Sequence, residues 1–277
     1  MRGTSAAPGG QQSGGRETTP PAFHRTSRMN ADTMLHPKKK HRLQIAEKGG
    51  PMGAVARLSE YSERRGAVLD VGVNRGTMAL HLCRLFCDMP IHLIEPIPAQ
   101  CDYVRERFSR FPTVEVHQMA LSDETGQSDF HLADHVGSSS LFTNTGDEAA
   151  QHSGHSTAET ITVETNRLDD WCAANAVDHI ACMKLDTQGS EFNILTGAQD
   201  LLSRDAIDII MLEWFAIPHY DGVPLLDEIL TLMRGHGYLL YDIFPSRRLK
   251  NGQLRFGDAV FISETFRKSR LPAAQGT

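Results

Sequence analysis

The residues best suited to chemistry lie in one short stretch, Val68-Leu69-Asp70-Val71-Gly72-Val73-Asn74-Arg75-Gly76, and in Glu95-Pro96 one strand later. An apolar run carries an acid near its end, turns through two glycines four residues apart, and enters a helical pattern. Glycine lets backbone approach a ligand closely, and a helix start offers unpaired N–H groups to it. A second apolar run, Ile91 to Ile94, leads into another acid. Acids at two neighbouring strand ends can hold a cationic amino acid and a ribose diol, the two polar ends of S-adenosylmethionine. In this reading Gly72, Asn74 and Gly76 shape the turn and Gly72 admits the methionine moiety. Asp70 faces its ammonium, directly or through water, and Glu95 accepts both ribose hydroxyls. A dinucleotide calls instead for Gly-x-Gly-x-x-Gly. Here Asn74 takes the middle position and crowds a pyrophosphate, Asp70 repels one, and no P-loop lysine is present. The acid after the second strand keeps a nicotinamide-dependent oxidoreductase as an alternative.

Two further groups extend the site. The turn Ala120-Leu121-Ser122-Asp123 follows the third strand, at the height an adenine would occupy. Its backbone and Asp123 can meet the adenine amine, although Asp123 serves equally well as a turn former through its own side-chain hydrogen bonding. The second group is Lys184-Leu185-Asp186-Thr187-Gln188-Gly189-Ser190-Glu191. A two-residue spacing puts Lys184 and Asp186 on one face of a strand. Asp186 then stands at the strand end beside the methyl group to be transferred, with Lys184 orienting Asp186 or the acceptor. Glu191 reads either as a charge favourable to a helix N-terminus or, with Asp186, as a ligand for a hard cation. Downstream of Glu213, His219 is a candidate general base because its unperturbed pKa lies near neutrality. A solvated loop histidine is the other reading. His152 and His155 have no matching ligand cluster, and no metal site is read there.

The surrounding chain fits a globular enzyme. Of 277 residues, 40% are hydrophobic and 22% charged, as in ordinary soluble domains. Residues 1–50 hold nine Lys/Arg against three Asp/Glu, so the remainder carries a net charge of −12 within a total of −6. An acidic body argues against nucleic-acid binding, which draws its affinity from basic grooves. Cys83, Cys87, Cys101, Cys172 and Cys182 include no Cys-x-x-Cys pair and read as reduced thiols. No run reaches the length of a membrane span and no signal peptide is evident, so a cytoplasmic protein with no membrane partner is expected. The first 50 residues are rich in Gly, Ser, Pro and basic residues and read as a disordered tail. Pro37-Lys38-Lys39-Lys40-His41-Arg42 within it is taken as solvated rather than as a targeting patch. Met29 and Met34 leave open an internal start.

The elements that must position these residues follow from periodicity. Helical spacing from Met52 to Glu63 leads to a strand over 67–71, a helix over 76–86, a strand over 91–94 and a helix over 98–108. Single strands are expected over 114–120 and 128–132, and the polar stretch 135–159 reads as a long loop or lid. Then come a strand over 160–165, a helix over 168–175, a strand over 180–185, a helix running to Leu202 and a strand over 207–213. A helix over 225–234 and strands over 238–243 and 259–262 complete the pattern, the last two lacking a helix between them and so able to pair as an antiparallel hairpin. Alternating strands and helices imply a mainly parallel sheet covered on both faces. Ligands bind such sheets at the carboxyl ends of their strands. One domain over 51–265 with a C-terminal tail over 266–277 is expected.

Taken together these residues resemble the FkbM methyltransferase family, a branch of the class I S-adenosylmethionine-dependent enzymes. The likeness runs from Val68 to Ile262. Its markers are the Asp70-to-Gly76 turn, Glu95-Pro96, Ala120-Leu121-Ser122-Asp123, Ser138-Ser139-Ser140-Leu141, Val163 through Leu168-Asp169-Asp170, the Lys184-to-Glu191 block and Gly237-Tyr238. The first turn marks the superfamily; the Lys184-to-Glu191 block is the more specific signal. The resemblance implies a seven-stranded Rossmann-like α/β sheet with one antiparallel strand. It also implies O-methylation of a small-molecule or carbohydrate acceptor. Thr187-Gln188 stands where the family often has a small apolar residue and Glu, and Val73 replaces the usual Ala. The family's catalytic base is not carried over. A module that binds S-adenosylmethionine without turnover is the rival of another class.

Overall fold

Ala67–Val71 forms strand β1, and all five of its residues are buried. A strand buried on both faces belongs at the centre of a covered sheet, and there it sits. The computed structural model describes residues 39–133, 139–143 and 157–272. On one side β1 pairs in parallel with β2 (Ile91–Ile94), which pairs in parallel with β3 (Val114–His117). On the other it pairs in parallel with β7 (Ile180–Leu185), and β7 with β8 (Ile209–Phe215). Beyond β8 lie β10 (Leu254–Ser263) and the edge strand β9 (Tyr238–Arg248). Strand β10 is antiparallel to both of its neighbours, so the final hairpin forms as its spacing allowed. The order β3-β2-β1-β7-β8-β10-β9 reverses between β1 and β7, and at such a reversal the crossover loops diverge and leave a crevice.

Helices cover both faces. One face carries α5 (Leu168–Ala174), α6 (Glu191–Thr196), α7 (Gln199–Ser203) and α8 (Leu226–Gly235), packed through Trp171, Ile194, Leu201, Ile229 and Met233. The other carries α1 (Lys39–Glu47), α2 (Gly50–Leu58), α3 (Thr77–Leu85), α4 (Pro98–Phe108) and α9 (Glu264–Arg270), packed through Ile45, Leu58, Leu82, Phe108 and Phe266. None of the helices among the described residues is long and apolar enough to cross a membrane. The five cysteines are free thiols.

Four boundaries differ from expectation, each for a local reason. The expected strand over 114–120 splits. Glu95 N–H donates to the His117 carbonyl (3.1 Å), and the chain then leaves for a second sheet, where β4 (Ala120–Ser122) pairs with β6 (Thr157–Arg167). Strand β5 (Gly126–Ala133) joins β6 from its other side. The expected single helix to Leu202 breaks at Gly197-Ala198 into α6 and α7. There a Cβ on Gly197 would sit 2.2 Å from the Ser122 carbonyl oxygen, so the chain must turn aside.

The tails are also shorter than expected. The last part of the basic segment is helical, because Ile45 is buried and Gly53 lets α2 approach the Ile45 and Ala46 carbonyls closely. At the other end, Ser263 caps α9 by accepting the Phe266 N–H, and Phe266 is buried. Burying a Phe side chain contributes roughly 1.5–3 kcal/mol, which offsets part of the entropy lost in ordering the segment.

Candidate active site

The β1 turn and the end of β2 meet in a cleft at the strand carboxyl ends. Asn74 holds a left-handed conformation (φ 51°), which aims its N–H at Glu95 Oε2 (2.8 Å). Glu95 Oε1 accepts the Ile97 N–H (3.1 Å). The carboxylate is buried, which raises its pKa, while these two N–H groups pull it back. Each oxygen keeps acceptor capacity toward the cleft, so Glu95 can receive two further hydroxyls. Gly72 (φ 74°) is required by closeness as well as by conformation, since a Cβ there would lie 2.0 Å from the Asp186 carbonyl oxygen. Met119, Leu121 and Phe130 supply an apolar wall, with Ala120 among them.

Under this cleft runs a line of alternating charge. Lys184 Nζ lies 2.9 Å from Asp70 Oδ1 and 3.5 Å from Asp186 Oδ2, and donates to the Gly72 carbonyl (3.2 Å). Lys184 and Asp70 are buried; Asp186 is partly exposed and lines the cleft. Burial disfavours the ammonium, but the two carboxylates outweigh it and hold the Lys184 pKa above its usual range. Burial likewise raises the Asp70 carboxyl against the pull of Lys184.

The loop after β7 is tied down from below. Glu191 accepts from the Thr187 N–H (2.6 Å), the Thr187 hydroxyl (2.9 Å) and the Gly189 N–H (2.9 Å). It is therefore an anchor for the loop, and its oxygens are engaged there. Gln188 donates from Nε2 to Asp186 Oδ1 (3.2 Å) and Glu213 Oε2 (2.8 Å), and accepts from the Tyr220 hydroxyl (3.0 Å). Ser140 Oγ donates to the Gln188 carbonyl (2.7 Å), and Ser139 and Leu141 join the cleft lining. Of the rest of the expected lid, 157–159 belong to β6 instead, and 135–138 and 144–156, with Ser138, His152 and His155, fall outside the described residues.

Burial, then the neighbouring Asp186, Glu191 and Asp258 carboxylates, raises the Glu213 pKa well above the ordinary range. Burial and Asp186 push the Asp258 carboxyl from 3.8 up to about 6. An acid whose folded pKa lies above its unfolded value stabilises the fold less as pH rises through that interval. Asp258→Asn is therefore expected to match the parent near pH 4 and to exceed its unfolding free energy near pH 7.5 by about 1–2 kcal/mol. Urea unfolding at both pH values checks this; a variant that is equally stable or weaker at the higher pH refutes it.

Of the expected ligand-binding residues, Gly72, Asn74, Glu95, Ala120 and Asp186 line the cleft. Five other expected site residues, Asp70, Lys184, Gly76, Asp123 and His219, lie outside the cleft lining. Asp70 has no exposed surface and its partner is Lys184, so it faces no ligand directly. Lys184 is equally enclosed and touches the cleft only through Asp186 and Gly72. Gly76 packs its turn on Phe108, 2.6 Å from where a Cβ would stand. Asp123 accepts from Ser122 Oγ and Asn193 Nδ2 outside the cleft. His219 is buried among Phe215, Tyr220 and Phe256, and its Nδ1 lies 3.2 Å from the Ile217 carbonyl. It is buried rather than solvated, and it does not line the cleft. Sequence reasoning missed Gln188, Ile97 and Phe130 as cleft residues. Only Gln188 carried a signal, its position between two acids.

A family model described as the methyltransferase FkbM domain matches residues 70–240, more than half of the chain. The 2-O-methyltransferase NoeI of Sinorhizobium fredii is 28% identical over 173 residues, which is 60% of this chain and 70% of that protein. The 31-O-demethyl-FK506 methyltransferase FkbM of Streptomyces tacrolimicus is 27% identical over 192 residues, 62% of this chain and 72% of that protein. A solved SAM-dependent methyltransferase from Aquifex aeolicus aligns with a TM-score of 0.38 at 14% identity, covering 85% of this chain and all of that one.

Proposed function

The chain belongs to the FkbM methyltransferase family, and from that premise we propose that this S-adenosylmethionine-dependent methyltransferase delivers its methyl group to a hydroxyl oxygen of a small molecule or carbohydrate. Both relatives named above are O-methyltransferases by name, which supports oxygen as the acceptor atom. The observation that carries the reading is that Glu95 and Asp186 share one cleft at the point where strand order reverses.

Glu95 would hold the ribose diol, with its oxygens already fixed by the Asn74 and Ile97 N–H groups. Gly72 and Asn74 would present backbone to the methionine portion. Ala120, Met119 and Leu121 would enclose the adenine. When bound, S-adenosylmethionine supplies a methyl group activated by its sulfonium. The protein then has to align the acceptor oxygen in line with it and exclude water. Asp186, held from one side by Lys184 and from the other by Gln188, would take the proton of the acceptor hydroxyl as the methyl group passes from the sulfonium sulfur to the acceptor oxygen. Lys184 and Asp70 act through Asp186 as positioning residues. The net charge of −12 over residues 51–277 supports an acceptor other than nucleic acid.

Asp186→Asn is expected to lower kcat by about 10²-fold, the low end of general-base contributions, while the cofactor Kd stays within about threefold. Unchanged turnover removes Asp186 from proton transfer. The function itself is tested with methyl-labelled S-adenosylmethionine and a panel of hydroxylated small molecules and sugars. Label in a base-stable ether supports O-methylation. Label in a base-labile ester or in an amine, or tight cofactor binding with no transfer to any member, overturns it.

A further inference from the structure

Away from the cleft, three side chains on one face of β2 and β3 converge. His92 and Glu115 are register partners across the parallel pair, and His117 follows Glu115 by two residues, so period-two alternation puts all three on the same face. His92 Nδ1 lies 3.0 Å from His117 Nε2, and Glu115 Oε2 lies 3.7 Å from the first and 3.9 Å from the second. The circle through these three atoms has a radius of about 2.1 Å, which equals the usual zinc–imidazole and zinc–carboxylate bond lengths. A cation can therefore touch all three ligands with little side-chain movement. The same three residues form the one group among the described residues whose His, Cys, Asp and Glu atoms lie close enough to hold a metal ion.

We propose that His92, Glu115 and His117 bind a divalent transition-metal cation of the zinc class. Two imidazoles and one carboxylate select such a borderline ion over calcium or magnesium, which demand all-oxygen shells. Trp171 of α5 fixes both rings, standing edge-on at 5.1 Å from each centroid. The Glu115 side chain is 67% exposed, which leaves an entry path and a fourth position open to water. The ion would clip β3, the sheet's edge strand, to β2. Both strands lead directly into cleft residues, Glu95 from one and Met119 from the other, so the site is structural support for the cofactor pocket rather than part of the reaction.

The test uses the full chain, stripped with a chelator and titrated with cobalt(II) and then zinc(II) alone. One saturable equivalent is expected, with visible cobalt bands of nitrogen and oxygen ligation, no thiolate charge-transfer band, and a Tm that rises with free zinc. His117→Ala should weaken binding at least about tenfold. Glu115→Lys, at an exposed position that leaves the fold intact, should abolish it by placing an ammonium against the cation. His152→Ala/His155→Ala should retain it. Absence of binding, a thiolate band, or full binding in Glu115→Lys overturns the proposal, whether or not methyl transfer is observed.

Discussion

Glu95→Ala is expected to weaken S-adenosylmethionine binding by about 10²–10³-fold, with little loss of folding stability. The estimate rests on two hydrogen bonds from ribose hydroxyls to a charged acceptor, each contributing about 1.5–3 kcal/mol, less the cost of desolvating a carboxylate. That cost is largely met before any ligand arrives, because Glu95 is buried and already accepts the Asn74 and Ile97 N–H groups. Glu95→Gln separates the two effects. Its amide can accept through one oxygen only and turns an N–H₂ toward a backbone donor, so it should lose nearly as much affinity as the alanine. Burial raises the Glu95 pKa, so binding by the parent should weaken as acidification reaches that raised value and protonates an acceptor oxygen. Calorimetric titration with S-adenosylmethionine reads all three effects. If the alanine variant binds within threefold of the parent, the ribose is held elsewhere.

What could be read from sequence was whatever depends on neighbours close in the chain. The Gly72 turn was legible because the strand, the glycine and the helix that follow one another there are all local signals, and Glu95 was legible as an acid at the end of an apolar run. The physical demand on Gly72 was not. It comes from the Asp186 carbonyl, which β1–β7 pairing brings within 2.0 Å of a would-be Cβ. Asp70 illustrates the limit more sharply. Its type and position fit an ammonium ligand, but the ammonium it meets is that of Lys184, 114 positions along the chain. No periodicity reports which strand lies beside β1. His219 was misread for the same reason, since the aromatic side chains that enclose it come partly from Phe256 on β10. The break between β3 and β4 falls where the alternation of Val114 to His117 lapses at Gln118, a one-residue signal too short to mark the end of one strand and the start of another. Helix α1 was missed because its composition is polar and its one buried anchor, Ile45, has no periodic partner nearby.

Lys184→Met should cost about 3–5 kcal/mol of folding stability, the range found when one partner of a buried ion pair is removed. The loss is not the value of the attraction. It is the penalty of leaving Asp70, which has no exposed surface, as an uncompensated charge beside an apolar side chain. Asp70→Asn/Lys184→Met should therefore recover at least about 2 kcal/mol of the deficit, because the double variant buries no charge. The deficit of the single variant also has a pH signature. Without the ammonium the Asp70 pKa rises further, and an acid with a raised folded pKa destabilises only once pH climbs above its unfolded value. Urea unfolding should thus find Lys184→Met closest to the parent in acid and furthest from it near neutrality. A single variant within 1 kcal/mol of the parent at neutral pH refutes the account. The same ammonium lies 3.5 Å from Asp186 and donates to the Gly72 carbonyl, so one residue sets both the floor of the cofactor cleft and the carboxylate at its mouth. Cofactor affinity and turnover should consequently fall together in Lys184→Met. Asp186→Asn, which leaves the Lys184–Asp70 pair in place, should separate them.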